Sequence, residues 1–427
     1  MNHYSIDTNC VQGTYRPKNG EPRVLPICQS TTYKYTSAEE LGDLFDLKVD
    51  GHMYTRISNP TVDAVEKKIN LLEGGVGAMC TSSGQAATLL AVLNIASVGD
   101  NIVSLSAIYG GTLNLFTVRL KQFGIEVRFA NPAETDAQLD ALFDERTRLV
   151  FGETIANPAL DVLDIERFAR IAHAHGVPLI VDNTFATPIL CRPFTFGADI
   201  VTHSTTKYMD GHATVVGGVI VDSGHFDWKA AGKYPELSKP DESYHGVVYT
   251  DAFKEAAYIT KARVQLMRDL GSTPQPLTAF LLNLGLETLA LRMERHCSNA
   301  LTIAGRLAQN PNVEWVNYPG LADSPFYALS KKYLPQGQSG VISVGVKGGR
   351  NAAVKFLNSL ELVSIVVHVA DARSCALHPA STTHRQLTDE QLLAAGIGPE
   401  LVRISVGIEN VEDIWADIQQ ALEKAGR

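Results

Sequence analysis

From about residue 60 onward the chain alternates two apolar patterns. One has helical spacing. Val62, Val65 and Ile69 recur at intervals of three and four after Asn59-Pro60-Thr61, and Gly74-Gly75 closes the run. Asn or Thr before an apolar period, with Pro in the first turn, is a helix start, and glycine just past the last period is a helix stop. The other pattern is a short apolar run bounded by turn formers, at 78–81, 101–105, 126–130, 148–152, 178–181, 199–202 and 218–221. Such runs are continuous rather than alternating, so both faces of the strand are buried. Helical segments, notably 85–96 and 164–174, lie between several of them. Strands of this kind alternating with helices predict an α/β fold whose mainly parallel, seven-stranded sheet is covered on both faces.

The rhythm fails in two places. Residues 1 to about 60 carry no steady period but many turn formers and tyrosines, among them Tyr33, Tyr35 and Tyr54. They read as an irregular arm that packs on a neighbouring subunit. Residues 223–250, rich in glycine, proline and charge, read as an inserted surface loop. Helical periods return from 251, and a long helix over 278–308 leads into a smaller α+β unit with strands at 340–346 and 401–406 and helices at 352–359 and 411–424. The expected division is an N-terminal arm over 1–58, a cofactor-binding domain over 59–268 and a C-terminal domain over 269–427.

Composition narrows the partners. The 427 residues carry a formal net charge of −9, which argues against nucleic acid or an anionic membrane as a partner. Six scattered cysteines with no Cys-x-x-Cys pair suggest free thiols in a reducing compartment. No basic-then-apolar leader is visible at the start. The apolar stretch near 86–98 is broken by Asn94 and Ser97 and is too short to span a bilayer. A soluble cytoplasmic protein is expected.

In parallel sheets, ligands collect at the carboxyl ends of strands, and chemistry-bearing residues fall there. Ser82-Ser83-Gly84-Gln85 joins a strand to a helix start, where backbone N–H groups can hold a phosphate and Gly84 allows close approach. A plain Ser-Gly turn with an N-cap gives the same pattern. Asp182 ends the apolar run 178–181 and needs a partner if it is buried, although it could instead cap the next turn. Lys207 follows Ser204-Thr205-Thr206, in a stretch poor in charge and rich in small residues. A surface lysine is the commoner case, but that composition does not suit a solvated face. Tyr109 could stack on a ring or belong to the core. An amine, a carboxylate for a pyridinium nitrogen and donors for a phosphate are together what pyridoxal 5'-phosphate (PLP) requires. No Gly-x-Gly-x-x-Gly follows a strand, and neither a P-loop, a His-Glu-x-x-His metal pattern nor a Gly-x-Ser-x-Gly elbow occurs.

Seven stretches taken in order resemble the fold type I, Cys/Met-metabolism family of PLP enzymes. They are Tyr54-Thr55-Arg56-Ile57-Ser58-Asn59-Pro60-Thr61, Ser82-Ser83-Gly84, Tyr109-Gly110-Gly111-Thr112, Val181-Asp182-Asn183-Thr184, His203-Ser204-Thr205-Thr206-Lys207-Tyr208, His378-Pro379-Ala380-Ser381-Thr382-Thr383-His384 and Arg403-Ile404-Ser405-Val406-Gly407-Ile408-Glu409. The resemblance implies a catalytic set of Lys207, Tyr109, Asp182 and Tyr54. Lys207 would bond the cofactor, Asp182 would hold its pyridinium, and Tyr109 would stack on the ring. Ser83, Gly84, Gln85, Ser204 and Thr206 would hold the phosphate, with Thr184 beside them and Asn157 near the phenolic oxygen. Arg403, with Asn157 and Tyr54, would face the substrate and hold its carboxylate. Tyr54 and Arg56 would reach the phosphate in a neighbouring subunit, which implies a dimer and, from two dimers, a homotetramer.

Within the family the resemblance is to the branch that replaces the acetoxy group of O-acetyl-L-homoserine with sulfide, or with methanethiol. The stretch from Glu153 to Val162, the insertion around Pro240 to Gly246, and Gly111 where γ-lyases carry a cysteine, all bear on that choice. A methionine γ-lyase or a cystathionine γ-synthase or γ-lyase reaction is the alternative on the same fold. One departure is His368-Val369-Ala370-Asp371, where the family shows Asn-x-Gly-Asp or Ser-Leu-Gly near the substrate.

Overall fold

A computed structural model describes residues 4–383, 385, 388, 390, 392 and 397–426. Seven of the apolar runs become one sheet: β1 Gly77–Thr81, β2 Asn101–Leu105, β3 Glu126–Ala130, β4 Thr147–Glu153, β5 Leu179–Asp182, β6 Ile200–His203 and β7 Gly218–Asp222. Their spatial order is β1-β7-β6-β5-β4-β2-β3, and only β7 runs against its neighbours. Every residue of β2, β6 and β7 is buried, as a sheet covered on both faces demands.

A second sheet follows: β8 Val313–Asn317, β9 Val341–Val346, β10 Ser364–Ile365, β11 Cys375–Leu377 and β12 Leu401–Ser405. Its order is β10-β11-β12-β9-β8, antiparallel except between β10 and β11. Helices Gly349–Asn358 and Val411–Ala425 pack against each other beside it. They share a separate apolar core that includes Ile342, Val344, Phe356, Ile404 and Ile418.

Three expectations need correction. The single helix over 278–308 is two, Pro276–Glu287 and Leu289–Ala308, meeting at Thr288. The stretch 223–250 is not a surface loop. Short helices Trp228–Ala231 and Pro235–Ser238 carry Trp228, Tyr234 and Leu237 into the main core, and Tyr249 joins them. Trp228 stacks on Tyr258 at 5.2 Å, so the glycines and charges read from sequence mark the outer turns of a packed unit. The arm is also less irregular than expected. It contains helices Ile6–Gln12 and Ala38–Phe45, and it is tied to the start of helix Pro60–Glu73, where Asn59 accepts from Thr61 N–H and Thr61 donates to the Pro26 carbonyl.

Candidate active site

The carboxyl ends of β1, β4, β5 and β6 meet the near edge of the second sheet around a cavity of about 290 Å³. Ser83, Gly84, Gln85, Tyr109, Asn157, Asp182, Thr184, Ser204, Thr206, Lys207 and Arg403 all line it. Those residues come from six separate stretches of sequence, and each sits there for a local reason.

Ser83 ends the loop after β1 and caps helix Gly84–Leu93, its hydroxyl accepting from Ala86 N–H at 3.1 Å. The first N–H groups of a helix have no partner within it and point outward. The loop after β6 presses on that helix start. A Cβ on Gly84 would lie 2.6 Å from Ser204 Cβ, so only glycine permits the approach. Ser204 N–H donates to Thr184 Oγ1 at 2.8 Å, and Thr206 exchanges hydrogen bonds with the Gly217 backbone. One end of the cavity is thus lined by hydroxyls and a helix N-terminus, the chemistry of a phosphate site.

Asp182 lies deeper. Burial pushes its pKa up, while the hydroxyl and backbone N–H of Thr184 pull it down. Next to it across the β4–β5 register is Glu153, whose carboxyl burial and Asp182 push well above the usual range. Glu153 Oε1 also accepts the Tyr109 N–H at 2.7 Å, which fixes where the Tyr109 helix begins. Behind Asp182, His203 Nε2 and Glu73 Oε1 form a fully enclosed pair, and Asn183 Nδ2 donates to the same oxygen.

Lys207 is held by backbone contacts to Ser204 and Gly211. Its pKa falls to about 8, first through burial and then through the Arg403 guanidinium. Arg403, on β12, donates to Asn157 Oδ1 at 3.1 Å and to the His368 carbonyl at 3.2 Å. It does not pair with Glu409, which instead accepts from Ser374. A Cβ on Gly111 would collide with the Tyr109 ring, so this tyrosine conformation has no room for the cysteine of a γ-lyase.

Two residues do not join this group in the single chain. Tyr54 is 42% exposed, and Arg56, exposed too, lies over its ring at 5.2 Å. His384, the last residue of one family-like stretch, lies outside the described residues. Conversely, the cavity holds residues to which the sequence alone gave no role: Glu153, Thr88, Phe185, Val216 and above all His368. The break from the family pattern at 368–371 marked the segment but not its contact with Lys207. Among the described residues no cluster of His, Cys, Asp and Glu suits a metal ion.

The donor set fits PLP. The N-terminus of helix Gly84–Leu93 and the Ser204 and Thr206 hydroxyls line the cavity, and the Arg403 Nε–H is buried in its wall without an acceptor among the described residues, which is costly unless an anionic ligand meets it. An amine of lowered pKa, a buried carboxylate and a phosphate-type cradle in one cavity define a PLP-dependent enzyme of fold type I.

The chain belongs to the Cys/Met metabolism PLP-dependent enzyme family, which it matches over residues 7–423. It is 48% identical over 405 residues to a homocysteine synthase of Schizosaccharomyces pombe, covering 94% of each chain. It is also 48% identical over 401 residues to O-acetyl-L-homoserine sulfhydrylase 1 of Thermus thermophilus, covering 94% of this chain and 95% of that one. A Campylobacter jejuni structure described as an O-acetylhomoserine (thiol)-lyase, solved with pyridoxyl-lysine phosphate, superposes with a TM-score of 0.94 at 36% identity. That match covers 98% of this chain and 100% of the other.

Proposed function

We propose that this enzyme carries out PLP-dependent γ-replacement, converting O-acetyl-L-homoserine and sulfide to L-homocysteine and acetate. The observation that carries the reading is the placement of the Lys207 amine in one cavity with buried Asp182 and the Arg403 guanidinium. The two relatives at 48% identity, a homocysteine synthase and an O-acetyl-L-homoserine sulfhydrylase, supply the substrate.

When bound, PLP supplies an electron-withdrawing ring that lowers the barrier to removing protons near the amino acid's nitrogen. In our reading Ser83, Gly84, Gln85, Ser204 and Thr206 would hold its phosphate and Asp182 its ring nitrogen. Tyr109 would cover a ring face, and Asn157 would approach its phenolic oxygen. Lys207 Nζ would bond the cofactor until substrate arrives. Arg403 would then bind the substrate α-carboxylate through a bidentate contact, for which its planar fork is suited. Lys207 Nζ would take the Cα proton and afterwards a Cβ proton, with its pKa near 8 suiting both directions of transfer. Acetate leaves Cγ, sulfide adds there, and the protons return to Cβ and Cα.

Tyr54 and Arg56 would complete the phosphate site of a neighbouring copy, making the unit a dimer and, by pairing, a tetramer. No described helix is long and apolar enough to cross a membrane, and all six cysteines are free thiols. Both observations suit the cytoplasm we assign.

The test is product analysis on purified protein. With sulfide, O-acetyl-L-homoserine should give homocysteine and acetate in equal amounts. Without sulfide, 2-oxobutyrate should form slowly, and its rapid release from methionine would favour a γ-lyase instead. Borohydride reduction and peptide mapping should place the pyridoxyl group on Lys207; a label on another lysine would overturn the assignment.

A further inference from the structure

Glu153, at the end of β4, takes no step in the reaction, yet several groups of the cavity meet on its carboxyl. Its Oε1 accepts the Tyr109 N–H at 2.7 Å. The N–H of Asn157, on the loop after β4, also donates to the carboxyl. In the β4–β5 register Glu153 pairs with Asp182, and the Thr154 N–H extends that pairing to the Asp182 carbonyl at 2.9 Å. Paired residues of neighbouring strands point to the same face, with the strands about 5 Å apart. The side chain is buried and lines the cavity. One carboxyl therefore holds the backbone of Tyr109 and of Asn157 and stands beside Asp182.

We propose that Glu153 is a positioning residue for the cofactor's ring: a neutral carboxylic acid that anchors Tyr109 and Asn157 and leaves Asp182 as the anion for the ring nitrogen. The proposal rests on the placement of PLP among these residues and not on which group is exchanged at Cγ. Tyr109 needs such an anchor. Its side chain is 48% exposed, so packing does not hold it, and it starts the helix Gly110–Asn114 without a side-chain cap. Asn157 in turn accepts from Arg403 at 3.1 Å, so the same carboxyl steadies the guanidinium at one remove.

Two ionised carboxylates side by side in a buried site repel each other and lose their hydration. One proton held between them removes the repulsion, and the surroundings decide where it stays. Asp182 is stabilised as an anion by the hydroxyl and N–H of Thr184 and by His203 on β6. Glu153 has no such cationic neighbour. Burial and the Asp182 charge push its pKa up further than the Tyr109 and Asn157 N–H groups pull it down. Lys207 and Arg403 line the same cavity, but their charge bears on His368 and Cys375 rather than on Glu153. Asp182 therefore ionises first and Glu153 keeps its proton.

The experiment compares Glu153→Gln, which keeps an oxygen for the Tyr109 N–H and carries no charge, with Glu153→Ala, which removes the anchor. Cofactor-free wild type and both variants are titrated with PLP across the neutral pH range. The circular dichroism of the bound PLP band reports how firmly the ring is held. Glu153→Gln should stay within about threefold of the wild-type Kd at every pH and keep the band. Glu153→Ala should bind PLP about tenfold or more weakly and lose most of the band, because two buried hydrogen bonds go. An ionising Glu153 would give wild type, as pH rises, a charge that Glu153→Gln lacks. A Kd that departs from wild type with rising pH in Glu153→Gln, or a fall as large as that of Glu153→Ala, overturns the proposal. Wild-type Kd and band in a folded Glu153→Ala overturn it as well. Asp182→Asn tests the placement beneath the proposal. It should weaken PLP binding, and an unchanged Kd and band there would take Asp182 from the ring nitrogen and sink the placement itself, a result distinct from the Glu153 outcomes.

Discussion

Arg403 is half-buried, and its enclosed Nε–H meets no acceptor among the described residues. Its two described contacts, to Asn157 and the His368 carbonyl, are to neutral oxygens, so its charge has no counterion there. An uncompensated buried cation is costly, and an arriving carboxylate would relieve the cost. Arg403→Ala should therefore lose about 2–3 kcal/mol of interaction with substrate and transition state. That amounts to roughly two orders of magnitude in kcat/KM for O-acetyl-L-homoserine, with the visible absorbance of bound PLP retained. Unchanged kcat/KM in the folded variant would refute the carboxylate role. Positions at or just after strand ends made Asp182 and Lys207 legible in sequence, while the role of Arg403, inside β12, came from the family resemblance. Glu153 and His368 were less legible. Glu153 was read as part of a family-like stretch, and only folding shows its carboxyl against Asp182 and the Tyr109 N–H. The contact of His368 joins segments 161 residues apart that no local pattern connects.

At the scale of elements, the site depends on loops pressed together at strand ends. Gly84→Ala would set a methyl 2.6 Å from Ser204 Cβ and 2.8 Å from its Cα, and backbone there cannot swing aside cheaply. Overpacking of this kind costs roughly 1–3 kcal/mol. The expected result is PLP affinity weakened about tenfold or more in titrations of cofactor-free protein, and an unaltered Kd would show that the two loops part without cost. Beside the second sheet, Asp417 on helix Val411–Ala425 accepts from the N–H groups of Glu361, Leu362 and Val363 at 2.8–2.9 Å. These bonds hold its pKa below the ordinary value of 3.8, although its partial burial works the other way. A depressed carboxylate stabilises the fold above its unfolded pKa and loses that contribution as pH falls through the folded one. Asp417→Ala should thus cost about 3 kcal/mol in urea unfolding at pH 7, with the gap to wild type narrowing below pH 4. A constant gap across that range would sink the account. The periodic elements were readable because their burial is uniform. The short helices of the arm and of 223–250 were not, since fewer than three turns give no period and their aromatic residues find the core only through tertiary packing.

At the scale of the molecule, the residues the single chain leaves outside the cavity are the ones on which the proposed dimer rests. Tyr54 and Arg56 come from the same family-like stretch as Asn59 and Pro60, yet they stand on the surface with an arginine over an aromatic ring. An exposed cation–π pair is worth little by itself, on the order of 0.5–1 kcal/mol. A guanidinium offered to the phosphate of a second copy would give the pair a use. In a two-fold dimer each arm would then complete the partner's site. Lys207→Ala and Arg56→Ala proteins should each be inactive or nearly so. After subunit exchange, shown by mass-tagged copies, a mixed dimer would have one site lacking both groups and one lacking neither. Equal mixing should therefore recover about a quarter of wild-type activity per chain, since half the dimers are mixed and each has one intact site. Mixed dimers that form and stay inactive would place Arg56 in the same subunit's site or in none. Recovery in the mixture, with no recovery in either protein alone, would make dimerisation part of the chemistry.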